Sequence, residues 1–135
     1  MRKCLTVFVS VCVAMLMVCE IAAHAVEARY AYFTYLTSTL TISSNTAYCK
    51  SSAAANSTVT KIEGTQYLEK KSGDDWVTVT DCKWSDYEDM NYLTLSNSKS
   101  NLGSGTYRVR AVFTAYTSNG SEEEEKISKE VTIWR

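Results

Sequence analysis

The stretch GTYRVRAVFTAY, Gly105 to Tyr116, decides the fold. Tyr107, Val109, Ala111, Phe113 and Ala115 fall on one face, and Arg108, Arg110, Thr114 and Tyr116 on the other. This period of two marks a half-buried β-strand, because successive Cβ atoms leave the pleat on opposite sides. On the C-terminal side, Ser118-Asn119-Gly120-Ser121 carries the Asn-Gly pair that tight hairpins favour. A last strand is predicted over Ile127 to Trp134, with Ile127, Val131 and Ile133 turned inward. On the N-terminal side, Ser96 to Gly105 reads as a Ser/Asn/Gly connection, preceded by a short strand at Tyr92 to Leu95.

The same alternation continues upstream. Thr60 to Lys71 places Ile62, Gly64, Gln66 and Leu68 on one face and Lys61, Glu63, Thr65, Tyr67 and Glu69 on the other. Ser72-Gly73-Asp74-Asp75 is a turn signal leading into Trp76-Val77-Thr78-Val79. An unbroken register then predicts Trp76, Thr78, Thr80, Cys82 and Trp84 on one face, and Asp86 to Asp89 (DYED) reads as a loop. Further upstream, Leu40 and Ile42 alternate with threonines. A turn at Ser43-Ser44-Asn45 leads into a second strand through Ala47, Cys49 and Ser51, and Ser52 to Ser57 (SAAANS) reads as a loop. No stretch after Ala25 has a helical period. About seven short strands without a helix predict an all-β, two-sheet sandwich of antiparallel strands. Proline is absent from the chain, so Gly, Asn, Asp and Ser must make the turns.

The N-terminus follows different rules. Arg2 and Lys3 form a positive start, and Leu5 to Val18 is an apolar run. Ala23 and Ala25 then stand at the small-residue positions that signal peptidase reads. The expectation is a helical secretory signal peptide over residues 1–25, and a secreted domain over residues 26–135 that keeps no stable membrane insertion after cleavage. An uncleaved anchor is the rival, disfavoured because the run is short of the ~20 residues that span a bilayer. A lipobox at Cys19 is a third reading, poorly served by Val18. Cleavage removes Cys4, Cys12, Cys19 and His24, the sole histidine. Cys49 and Cys82 remain, and in an exported domain they are most simply read as one disulfide. The other reading is two separate buried thiols acting as small hydrophobes.

Removing Arg2, Lys3 and Glu20 leaves 12 basic and 14 acidic residues. That balance gives no electrostatic reason to expect nucleic acid as a partner. Loss of His24 takes away the usual general base of Ser and Cys hydrolases. Asp81, Asp86, Glu88 and Asp89 are the carboxylates left for a two-acid hydrolase or a calcium site, but no D-x-D-x-D-G spacing accompanies them. The expectation is a protein that is not an enzyme and carries no cofactor or metal.

Gly105-Thr106-Tyr107 resembles the tyrosine corner of immunoglobulin-like and fibronectin-like domains, in which a tyrosine opening a late strand bonds the backbone upstream. Val109 stands where an antibody domain would have cysteine. More broadly, LTISSNTAYC (Leu40 to Cys49), KIEGTQYLEKKSGDDW (Lys61 to Trp76) and SGTYRVRAVFTAY (Ser104 to Tyr116) resemble small secreted immunoglobulin-like proteins of Gram-positive bacteria, a group without an assigned activity. The resemblance implies a fold and no catalytic residues.

The expected function is therefore a non-enzymatic extracellular binding or surface-interaction module for a protein or a glycan. The alternatives are a structural envelope or matrix component assembling through edge strands, and a carboxylate-dependent extracellular hydrolase. Candidate interaction residues are Tyr67, Arg108, Arg110 and Tyr116 on an outer sheet face, because Tyr and Arg dominate binding hot spots. Tyr30 and Tyr32 join them from the aromatic stretch YAYFTY (Tyr30 to Tyr35). The Glu122 to Glu125 run reads as a charge-protected edge or, alternatively, a dock for a basic partner.

Overall fold

The computed structural model describes residues 30–135. The expected signal peptide lies outside the described residues. Tyr32–Arg135 form one unit, and Tyr30 and Ala31 belong to the preceding one. Eight strands follow in order: β1 (Phe33–Ser43), β2 (Thr46–Ala55), β3 (Lys61–Ser72), β4 (Asp75–Glu88), β5 (Tyr92–Lys99), β6 (Gly105–Thr117), β7 (Gly120–Ile127) and β8 (Val131–Ile133). No helix occurs among the described residues. The strands make two antiparallel sheets, one ordered β1-β2-β5 and one ordered β4-β3-β6, with β7 and β8 both paired to the far side of β6.

The alternation of β6 sets the interior. Tyr107, Val109, Ala111, Phe113 and Ala115 are all buried. Ile62, Gly64, Gln66 and Leu68 of β3 lie beside them, and Ala47, Cys49, Ser51, Ala53 and Ala55 of β2 face them from the other sheet. Small residues on β2 let the larger side chains of β3 and β6 fill the layer between the sheets. Gly64 marks the closest approach. A Cβ there would stand 2.9 Å from both Leu93 Cδ2 and Phe113 Cε1, so the β5 leucines pack directly on the β3 backbone.

A chain of hydrogen bonds crosses this interior. Asn97 Nδ2 donates to Gln66 Oε1 at 2.9 Å, Gln66 Nε2 donates to Ser51 Oγ at 2.8 Å, and Ser51 and Ser38 share a hydroxyl bond of 3.0 Å. These residues come from β5, β3, β2 and β1, so the chain ties the two sheets together. Every buried side-chain polar atom among the described residues has a partner, as desolvation of polar groups demands.

Several segments depart from the sequence reading. The expected face of Trp76, Thr78, Thr80, Cys82 and Trp84 is split by a bulge. Tyr67 pairs with Lys83 but Glu69 with Thr78, so four β4 residues stand opposite Leu68 alone. Asp81 takes φ 62 there. The bulge reverses the side-chain parity, a known effect of extra residues in a strand. Cys82 and Trp84 therefore face the core, while Trp76 lies on the outer face. The DYED segment is not a loop through its length, because β4 runs through Asp86, Tyr87 and Glu88 in register with β3. Likewise β2 continues through Ala55 and β5 through Lys99, since pairing with each other satisfies their backbones. The chain pairing with β6 begins at Gly120 rather than Ile127, and it breaks at Ser128. There Val109 N donates to Ser128 Oγ and Ser128 N to Val109 O, both at 2.9 Å. Ile127 consequently pairs with Arg110 on the outer face instead of pointing inward.

The cysteines also need correction. Cys49 and Cys82 are free thiols, buried in one cluster with Leu68, Leu102, Tyr107 and Val109. They serve as small apolar side chains rather than as the expected bridge. Burial, reinforced by the nearby Cys82, pushes the Cys49 thiol up to about 12.

Candidate functional site

The outer face of the five-stranded sheet holds four of the expected residues. Tyr67 and Arg110 are directly paired across β3 and β6, as are Glu69 and Arg108. Glu69 is only 5% exposed. Its two oxygens accept from Arg108 Nε at 2.9 Å and Arg110 Nε at 3.2 Å. Each guanidinium also stacks on a ring: Arg108 lies 4.2 Å from the Trp76 centroid and Arg110 4.1 Å from that of Tyr67. Arg110 reaches Glu125 as well, at 3.3 Å. Such partners turn these residues inward on one another. Tyr116 sits further along, donating its hydroxyl to Glu63 Oε2 at 2.9 Å, and Lys61 pairs with the other Glu63 oxygen. Bonding to Lys61, then to Tyr116, holds Glu63 below the usual carboxylate range, while the Glu63 bond raises both Lys61 and Tyr116.

Tyr30 precedes the two-sheet unit. Tyr32 and Phe33 donate their backbone N–H groups to Glu122 Oε2, at 2.7 and 3.1 Å. Glu123 accepts from Thr114 and Glu125 from Arg110, so three members of the glutamate run have intramolecular work. Asp81, Asp86 and Glu88 lie exposed along β4, and no group of three or more metal-ligating side chains is assembled among the described residues.

The outer face of the three-stranded sheet has a different character, one the sequence reading passed over. Phe33 pairs with Ala55 but Tyr35 with Ala54, so Thr34 is an extra residue in β1. This bulge sends Phe33 into the core and Tyr35 to the outside, although the two are separated by a single residue. Tyr92 of β5 also pairs with Ala54. Tyr35, Ala54 and Tyr92 thus form one row across three strands, with the tyrosines 57% and 52% exposed. Two strand spacings, about 10 Å, separate the outer members of the row. The next row is Thr37, Ser52 and Thr94, with a 3.0 Å hydroxyl bond between Ser52 and Thr94. Among the described residues, Lys50 is the only charged one on this face. The signal for it was present in the outward parity of Tyr48, Lys50 and Ser52, but only the Thr34 bulge and the Ala54 pairing bring Tyr35 and Tyr92 into line.

Scans of family models, of curated proteins and of solved structures find no match to the chain.

Proposed function

We propose that the protein is a secreted immunoglobulin-like module that binds an extended, neutral polysaccharide on the outer face of its β1-β2-β5 sheet without cleaving it. The row Tyr35-Ala54-Tyr92 carries the reading. Two exposed rings flank a small residue at a separation on the scale of a disaccharide repeat, so alternate sugar rings can stack while the one between lies over Ala54. Tyrosine suits the task because it offers a large, rigid face at low entropic cost. The hydroxyls of Thr37, Ser52 and Thr94 lie alongside for sugar hydroxyls.

Support for the immunoglobulin-like arrangement comes from pairing order. Strands β1, β2 and β5 neighbour one another as A, B and E do, and β3, β6 and β7 as C, F and G do. Tyr107 opens β6, and its hydroxyl donates to the Gly103 carbonyl at 2.8 Å, the bond of a tyrosine corner. The resemblance to secreted Gram-positive domains accords with this order.

Co-sedimentation with insoluble β-linked polysaccharides, and calorimetry with their soluble oligomers, test the proposal. Tyr35→Ala and Tyr92→Ala should each weaken binding by about tenfold, the loss of one hot-spot ring. Unchanged binding by both variants would overturn it. Release of reducing sugar that depends on Asp86 or Glu88 would replace binding with hydrolysis. Concentration-dependent oligomers indifferent to glycan would favour an edge-strand assembly component instead.

A further inference from the structure

At the end of the fold away from the Tyr35–Tyr92 row, the sequence does something costly. Alternation assigns Lys70 of β3 and Lys99 of β5 to inward positions, one from each sheet, where an apolar side chain would close the core. Both line a cavity of about 500 Å³ between the β3–β4 hairpin and the β5–β6 connection; Lys71 borders it too, but its ammonium lies 6.0 Å from the centroid of the outer-face Trp76 ring. Val79, Leu102 and Tyr107 supply apolar wall, and Thr78, Thr80 and Asn101 supply hydrogen-bonding groups. No carboxylate lines the cavity, and none of the three lysines enters an ion pair among the described residues.

Lys70 is held rather than trailing in solvent. Its ammonium stands 5.6 Å from the Tyr107 ring centroid. Gly105 has φ 146, and a Cβ there would come within 2.5 Å of Lys70 Cε. Glycine takes that backbone conformation without strain, and the lysine stem runs over the space its missing side chain leaves. Two ammonium groups without an ion pair, Lys70 and Lys99, at one concavity are suited to a tetrahedral oxyanion. Lysine serves such groups as a point charge, whereas planar carboxylates favour the arginine fork. The volume falls in the range of small-molecule sites, about 300–1,000 Å³.

We propose that this cavity binds a phosphate or sulfate monoester of a sugar, with Lys70 and Lys99 on the anion and the Thr78–Thr80 wall on the sugar. The ester can come from a free sugar or from the end of a polysaccharide, and both present the same chemistry. The site is separate from the tyrosine row, so soluble monosaccharide probes test it independently of the polysaccharide reading.

Calorimetry with the folded domain should show glucose 6-phosphate binding more tightly than inorganic phosphate, and glucose not at all. Added salt should weaken the binding, because the attraction is screened. Lys70→Gln and Lys99→Gln should each cost about tenfold or more, as loss of a charge-assisted bond does. Lys99 stands on the opposite sheet, so it remains a valid test if Lys70→Gln fails to fold. A phosphorylated polysaccharide competing with glucose 6-phosphate would identify a chain end as the source, and failure to compete would identify the free sugar ester. Equal affinity for glucose, equal affinity for inorganic phosphate, or full affinity in both lysine variants would each overturn the proposal.

Discussion

The two outer faces of this molecule are built on opposite plans. The five-stranded sheet displays Arg, Glu, Trp and Tyr, the residues that sequence reasoning associates with binding, and it joins them to one another. The three-stranded sheet displays tyrosines among small hydroxylated residues and leaves the rings open. Residue type alone ranks the first face higher. Partner counting reverses the ranking, because a guanidinium bonded at Nε and stacked on a ring must give up contacts before it makes new ones.

The largest test of this contrast is Glu69→Ala. It leaves Arg108 and Arg110 with like charges close together and a nearly buried site emptied. The expected loss is about 2–3 kcal/mol of stability, less than for a fully buried pair because both arginines keep some solvent. A urea titration should show a lower midpoint with an unchanged slope. The next test is a double dissociation. Arg110→Ala should lower the melting temperature yet retain polysaccharide, whereas Tyr35→Ala should retain the melting temperature and lose about tenfold in binding. A reversed pattern would return the binding role to the arginine face.

The smallest effect concerns the interior behind both faces. The Cys49 thiol ionises near 9 when unfolded and near 12 when folded, so the unfolded chain releases its proton first. Its contribution is intact below pH 9 and is lost as pH rises from there toward 12. Unfolding midpoints measured between pH 8.5 and 11 should fall more steeply in the native sequence than in Cys49→Ala. Both thiols should resist alkylation until the domain unfolds, because the thiolate is the reactive form.

The legible part of this fold was the part with unbroken periodicity. Tyr107 through Ala115 and Ile62 through Leu68 could be assigned to their faces residue by residue. What escaped were the places where one strand holds more residues than its partner. At Thr34, at Val79 to Cys82 and at Ser128, bulges change parity without any local composition signal, since the extra residue is defined only by what lies across the ladder. Strand ends were underread for a related reason. Glutamates at 122–125 and alanines at 53–55 have weak strand preference, and pairing with β6 and β5 overrides it. The candidate surface suffered most, because aligning Tyr35 with Tyr92 depends on both a bulge and a third strand. The cationic cavity was equally hidden, as Lys70 and Lys99 are distant in sequence and meet only at the end of the layer.

The hydrogen-bonded chain from Asn97 through Gln66 and Ser51 to Ser38 has a consequence for how the two sheets align. Aliphatic and alanine contacts between two sheets tolerate sliding, for one small apolar neighbour is much like another. A buried amide is not so tolerant. Slipping one sheet by a residue pair would leave Gln66 facing alanine or leucine and strip it of both partners, at a cost of about 1–3 kcal/mol for each group left unsatisfied. The four side chains thus favour a single alignment of the two sheets. They reject misaligned sheets that the apolar residues alone would accept.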